Sequence, residues 1–591
     1  MNPNHTYAVV AVTAVVLATV LIGALGLRIS RTTSDFYVAS RTVRPGLNAA
    51  AISGEYLSAA SFLGIAGLVL VQGPAMLWYP VGYTAGYLVL LVLVAAPLRR
   101  SGAYTLSDFA EARLESPAAR RLASLFVVGI GWLYLLPQLQ GAGLTLEILT
   151  GAPDWAGGLI VALVVTGTVA AGGMRSITFV QAFQYWLKLT ALLVPAVFLL
   201  AAWYGDGAPR ARFDAPAVLR EHTVVRLADT VRIDLDAPLT VTVTGSVDTV
   251  RHDHRTVTLA PGTHHVLAGT ELAFAPGTRV PERAAGDAGP SPDVARGDAP
   301  LASPGWSQPL AGGHDGHQLY ATYGLILATF LGTMGLPHVA VRFYTSPHGR
   351  AARRTTLVVL GLVGAFYLLP PLYGALGRVY APELALTGSA DAAVLVLPDR
   401  VLGGVLGDLL GALLAGGAFA AFLSTASGLT MSVAGVLTQD VLPSRGVRHF
   451  RLATLLATAV PLGTGVVASK VPVADAVGLA FAVSASSFCP LLVLGIWWRR
   501  LTPPGAMAGL LLGGGSALAA VMATRAGLAP AGWAHTLMAW PAVWSVPLGF
   551  LGMVLVSLAT PRRIPAGTPA LLARLHLPEE FAAPVPEEVR R

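Results

Sequence analysis

The chain has 591 residues, 54% of them hydrophobic and only 12% charged, with a mean hydropathy of +0.64. Soluble domains carry about 25% charged residues, so the composition excludes a soluble enzyme and describes a polytopic membrane protein embedded in a lipid bilayer. The net charge of +8 sits on arginines in short loops between apolar runs, where it reports topology and no nucleic-acid partner.

Runs long enough to span, about 20 residues each, fall near 7–27, 46–72, 76–97, 119–149, 155–172, 181–203, 318–341, 355–377, 403–438, 452–469, 474–497, 506–524 and 538–559. They predict an all-α membrane protein of about 13 transmembrane helices. The first run has only His5 before it and Arg28 and Arg31 after it, which reads as a spanning helix with its N-terminus outside and not as a cleaved signal peptide. From that start the loops holding Arg28/Arg31/Arg41/Arg44, Arg99/Arg100/Arg113/Arg120/Arg121, Arg342/Arg350/Arg353/Arg354, Arg445/Arg448/Arg451 and Arg499/Arg500 all fall in the cytoplasm, as does the C-terminus. Abundant Ala, Gly and Arg beside two lysines, Lys188 and Lys470, suggest a GC-rich bacterial genome, and so the inner membrane.

Within the second run, Ser53-Gly54-Glu55-Tyr56-Leu57-Ser58-Ala59-Ala60-Ser61-Phe62-Leu63-Gly64 places a carboxylate and three serine hydroxyls at membrane depth. An ionisable residue there costs roughly 2.5–3.5 kcal/mol on insertion scales and reads as functional. Two glycines and the serine cluster predict a broken helix, whose unwound carbonyls can coordinate a cation. Glu55 has three open roles: orienting the break, bonding free N–H groups, or carrying a proton.

Residues 205–316 form a polar insert that falls outside. Its β-branched alternations at 239–244 and 256–259 predict short strands, and 275–313, rich in Pro, Gly, Ala and Asp, predicts a flexible linker. His222, His252, His254, His264 and His265 read as solvated loop residues rather than metal ligands. The insert is either a partner-binding module or a decoration.

Setting aside the first helix and the last two leaves five helices on each side of the insert, and each five opens with an interrupted helix, at 54–64 and at 332–338. Paired broken helices point to an inverted-repeat secondary transporter with its site at the midplane. The expected domains are 1–45 (extra helix and inner loop), 46–204 (first repeat), 205–316 (insert), 317–500 (second repeat), 501–560 (two further helices) and 561–591 (cytoplasmic tail). A single cysteine, Cys489, excludes an intrachain disulfide and a Cys-based metal site. Without a P-loop, a zinc-spaced His/Cys cluster or a nucleophile elbow, the chain reads as no enzyme, needs no cofactor and draws its energy from an ion gradient.

Five ordered strings carry a family resemblance: Gly-Glu-Tyr-Leu-Ser-Ala-Ala-Ser-Phe-Leu-Gly (54–64), Gln-Gly-Ala-Gly-Leu-Thr-Leu-Glu (140–147), Gly-Gly-Met-Arg-Ser-Ile-Thr-Phe-Val-Gln (172–181), Gly-Leu-Pro-His-Val-Ala-Val-Arg-Phe-Tyr-Thr (335–345) and Trp-Trp-Arg-Arg-Leu-Thr-Pro-Pro-Gly-Ala (497–506). The chain resembles the sodium:solute symporter family, and within it the cation/acetate and short monocarboxylate symporters. The resemblance implies a leucine-transporter-like 5+5 inverted repeat and a sodium site made by the carbonyls of Gly54, Leu57 and Ala421 and the hydroxyls of Ser424 and Thr425. Residues 421, 424 and 425 stand at i, i+3 and i+4 and share a helix face, which suits a hard cation that takes several oxygens. Hydroxyls bonding back to the i−4 carbonyl are the other reading of Ser424 and Thr425.

The implied substrate cavity is lined by Glu55, Tyr56, Ser58, Ser61, Phe62, Tyr134, Gln138, Met334, Gly335 and His338, which mix small donors with apolar walls and suit a small organic anion. Arg342 and Arg175 read as lying near the inner ends of their helices, so dipoles and sodium are expected to meet the substrate's charge. Gln181 stands where some family members carry an acidic residue associated with extra cation coupling, which leaves a second sodium without a ligand. Lys188 reads as structural, pairing with a carboxylate or snorkelling. The expected function is sodium-coupled uptake of acetate or a similar monocarboxylate. The alternatives are the same fold carrying proline, pantothenate or a sugar, or a transporter-like sensor.

Overall fold

The computed structural model describes residues 3–27, 39–209, 217–227, 230–283, 317–387, 389–442, 447–467, 473–526, 528–529 and 532–579. Each of the 13 apolar runs falls on helix over most of its described length. Among the described residues nine helices are long and apolar enough to cross a membrane, or ten if the bent pair Leu319–Gly335 and Pro337–Phe343 makes one span. Part of the difference from the expected count lies at the joints. The runs at 155–172 and 181–203 belong to two helices that meet without a loop at a kink on Gly173 (φ 57°, ψ −159°) within Asp154–Gly205.

At the centre runs Gly404–Val436, buried along most of its length and packed on Asp154–Gly205, Pro117–Thr150 and Pro3–Leu27. Its stretch Ala415-Gly416-Gly417-Ala418-Phe419-Ala420-Ala421 explains the position, because small residues let neighbouring backbones approach closely in a bilayer. Pro45–Tyr56 starts with proline in its first turn and stops at Leu57 (φ −75°, ψ 84°). The chain resumes through the π-turn Ala60–Gly64 into Ile65–Gln72. The second break is at Leu336 (φ −63°, ψ 119°), held extended before Pro337, where the axis bends by 43°.

The insert folds as an antiparallel sheet of seven strands, β1 (Thr223–Arg226), β2 (Val231–Leu235), β3 (Leu239–Val247), β4 (Val250–Leu259), β5 (Gly262–Val266), β6 (Glu271–Phe274) and β7 (Glu282–Arg283). The order is β1-β6-β3-β5-β2-β7, with β4 also on β3. The alternations at 239–244 and 256–259 lie in β3 and β4. Alternate residues of the sheet, Val225, Ile233, Val241, Val243, Val266 and Leu272 among them, bury one apolar face together with Leu386 of the transmembrane part. The insert therefore rests on the hairpin between Leu369–Tyr380 and Ala393–Leu402.

Two expectations change here. Residues 275–283 are ordered against the sheet through the bridge Val218↔Arg279 and through β7, while the rest of the expected linker lies outside the described residues. His252, His254, His264 and His265 stand in strands, not loops.

Candidate functional site

The break after Tyr56 removes backbone partners and leaves carbonyls to be met by other groups. Lys188 Nζ donates to Gly54 O, to Leu57 O at 2.6 Å and to Ser424 Oγ at 2.9 Å. Thr425 Oγ1 donates to Glu55 O at 2.7 Å, and the N–H of Ala59 donates to Gln138 Oε1 at 3.3 Å. Ser424 Oγ in turn donates to Ala421 O at 3.1 Å. Gly54, Leu57, Ala421, Ser424 and Thr425 are thus brought together as the sequence predicts, but around the side-chain nitrogen of Lys188, on which two carbonyls and a hydroxyl converge.

Beside the break lies a second buried network. Arg342 Nε donates to Glu55 Oε2 at 2.5 Å, with side-chain exposures of 1% and 2%. Its other nitrogens donate to Thr178 Oγ1 at 2.8 Å and to Gln181 Oε1, and Gln181 Nε2 donates to Ser424 O at 2.8 Å. One ion pair therefore joins the first broken helix, the short second-break helix and Asp154–Gly205, and reaches the central helix through Gln181. Two glycines make room for it. A Cβ on Gly428 would stand 1.9 Å from Glu55 Oε1, and one on Gly54 would stand 2.2 Å from the Gln181 carbonyl. This corrects two sequence readings: Arg342 is drawn inward onto Glu55, and Glu55 is committed to an ion pair instead of lining a substrate cavity. Lys188 was read as structural, although one of only two lysines in the chain, at membrane depth, was itself the signal.

The other predicted lining residues divide into two groups. Tyr134 and Gln138, one turn apart, converge with Ser58 and His338 at the break: Tyr134 faces Ser58, and its ring meets His338 edge-on at 5.4 Å. Neither ring nitrogen of His338 nor Gln138 Nε2 has a hydrogen-bond partner among the described residues, and both side chains are buried. Phe481, unforeseen, closes the group at 5.9 Å from Tyr134. The remaining hydroxyls are engaged elsewhere. Tyr56 donates to Tyr83 O at 3.1 Å and lies 2.7 Å from Thr333 Oγ1, while Ser61 lies 2.8 Å from the Tyr367 hydroxyl. Phe62 packs near Phe366, and Met334 and Gly335 lie in the core, where a Cβ on Gly335 would meet Ser484.

Broken helices whose freed backbone faces the hydroxyls of a central helix, in a chain that crosses the membrane many times, define a secondary transporter. The fold agrees: the structure of a Na+-coupled sialic acid symporter superimposes with a TM-score of 0.59 at 14% identity, covering 93% of this chain and 98% of that one. The model of the Sodium:solute symporter family matches residues 36–213 and 310–513. The chain belongs to the sodium:solute symporter family. Among its relatives are an uncharacterized symporter of Bacillus subtilis, 28% identical over 557 residues and 91% of each chain, and a monocarboxylic acid transporter of Corynebacterium glutamicum, 29% identical over 579 residues, 93% of this chain and 90% of that one. Its relatives are transporters and not enzymes.

Proposed function

We propose that the chain takes up acetate or a similar short monocarboxylate together with sodium, by alternating access across the bacterial inner membrane, with its N-terminus outside and its C-terminus in the cytoplasm. The observation that carries this reading is a charge count at the break. Glu55 and Arg342 cancel, and whenever Lys188 carries its proton one positive charge is left at the break without a carboxylate of its own. Unpaired buried charge is costly, so the site is built for one negative charge from outside the chain. Within the same group the Gln138 amide and the His338 ring offer hydrogen bonds that the protein leaves unmade. Tyr134 and Phe481 supply apolar wall for a short tail.

In this reading sodium takes the place of the Lys188 nitrogen among the carbonyls of Gly54, Leu57 and Ala421 and the hydroxyls of Ser424 and Thr425, and the two five-helix halves rock about the breaks at Leu57 and Leu336. The relative from Corynebacterium glutamicum, named a monocarboxylic acid transporter, supports the substrate class. Competition tests the reading: uptake of labelled acetate into proteoliposomes is suppressed by unlabelled short monocarboxylates and not by amino acids or sugars. Suppression by proline or a sugar, with none by any monocarboxylate, overturns the substrate class.

A further inference from the structure

We propose that Phe481 sets the upper limit on the length of the acid that the site accepts: its ring is the fixed wall at which the substrate's carbon tail must end. The inference rests on the monocarboxylate reading above and adds to it the residue that separates short acids from long ones.

The two ends of the site are chemically unlike. On one side Gln138 Nε2 and both ring nitrogens of His338 are buried hydrogen-bonding atoms with no partner among the described residues, where a carboxylate can bond. A carboxylate held there turns its tail toward aromatic surface. Tyr134 meets His338 edge-on, Phe481 follows at 5.9 Å from Tyr134, and behind Phe481 stand Tyr83 at 4.7 Å and Tyr56 at 6.3 Å. Phe481 is the one ring of these four without a polar atom, so it offers nothing to a polar group at the end of a tail.

The ring has no room to give way. Phe481 lies on Val473–Trp497 at the point where that helix touches Gln318–Gly335, the helix that ends at the second break. A Cβ on Gly332 would stand 2.5 Å from the Phe481 carbonyl oxygen and 3.0 Å from its Cα, and Ser484 Oγ donates to Gly332 O at 3.0 Å. Backbones this close, brought together by a glycine, hold the Phe481 Cα in place. The neighbouring rings are pinned in turn. Tyr56 is held by Tyr83 O and Thr333, and Tyr83 stacks on Tyr367, whose hydroxyl lies 2.8 Å from Ser61. A close-packed wall of this kind meets each added methylene with a clash.

The test measures inhibition of labelled acetate uptake into proteoliposomes by the unbranched series acetate, propionate, butyrate and hexanoate. Each inhibition constant is taken relative to that of acetate, so the amount of active protein cancels. In the wild type, inhibition weakens steeply along the series. Phe481→Ala, which removes the ring, is expected to improve hexanoate relative to acetate by about tenfold or more, since even one methylene in an apolar pocket is worth that much. Phe481→Leu shifts the limit in the same direction by less and is the variant to read where the alanine protein does not fold. A residue that only packs two helices together would lower uptake in the presence of every acid alike and leave the ratio where it was. Wild-type inhibition by hexanoate as strong as that by acetate, an unchanged ratio in every variant that transports, or loss of uptake in both variants overturns the proposal. Acetate uptake by the wild type in excess of protein-free vesicles separates this outcome from failure of the transport reading. With that uptake present, an unchanged ratio removes the length limit alone; without it, the monocarboxylate reading fails and the length limit falls with it.

Discussion

The ion pair at the break supports a quantitative prediction. Glu55 and Arg342 meet at 2.5 Å with exposures of 2% and 1%, and removing one partner of such a pair costs about 3–5 kcal/mol because the other charge stays buried. The two single changes are unequal. Glu55→Gln leaves Arg342 bonded to Thr178 and Gln181, so its cost falls near the lower limit, about 3 kcal/mol. Arg342→Gln strands the Glu55 carboxylate against Gly428 and strips Thr178 and Gln181 of their donor, which places it near about 5 kcal/mol. The double variant carries no stranded charge. It is expected to fall short of the sum of the singles by about 3 kcal/mol, the upper end of coupling for residues in one network. Unfolding of the purified protein in mixed micelles of rising sodium dodecyl sulfate content, followed by loss of helical circular dichroism, measures all four proteins. A coupling below about 0.5 kcal/mol, the additivity expected of independent sites, would refute the reasoning.

Ser424→Ala and Thr425→Ala each remove one oxygen of the proposed sodium site; losing a hydrogen bond to a charged group is worth about 1.5–3 kcal/mol. The sodium concentration for half-maximal uptake should rise about tenfold or more, and an unchanged sodium dependence in both would take these hydroxyls out of that site. His338→Phe keeps the edge-on packing against Tyr134 and removes both nitrogens. Its KM for acetate should rise several-fold to about tenfold, the value of one hydrogen bond, and an unaltered KM would remove His338 from the substrate site. In the insert, partial burial opposes both charges of the Asp248–His264 pair. Even so, the Ala260 carbonyl and the Asp248 carboxylate hold the His264 ring above its ordinary value, while the His265 N–H and the His264 ring hold Asp248 below its own. The raised histidine stabilises the hairpin at acid pH and loses that contribution as pH rises through its folded value; the lowered aspartate loses its contribution as pH falls through its own. Protease cleavage of the insert in the full-length protein should therefore quicken as pH rises above about 6.5, the ordinary histidine value, and His264→Asn should abolish that pH dependence.

The breaks were legible in the sequence because glycine, serine and proline at membrane depth have few other uses, and both fall where expected, at Leu57 and Leu336. The spacing of 421, 424 and 425 likewise put these three residues on one side of a helix, facing the break. What one helix's periodicity does not give is its rotation against a partner far away in sequence. Lys188 reaches Gly54 across 134 residues of chain and Ser424 across 236, so its place among these oxygens was hidden. Arg342 was misread for a related reason. It lies six residues past the break at Leu336, and the 43° bend there, which composition does not report, carries it onto Glu55. In the insert, β3 announced itself by alternation, whereas β4, largely exposed, showed it only over its last residues, 256–259.

In the proposed function, sodium at the break drives a short monocarboxylate inward. Its most direct test is the accumulation of labelled acetate in proteoliposomes given an inward sodium gradient and no pH gradient, with protein-free vesicles as the baseline. The account predicts accumulation above equilibrium that collapses when a sodium ionophore dissipates the gradient. Acetate levels that never exceed those of the protein-free vesicles, with the gradient intact, would contradict it.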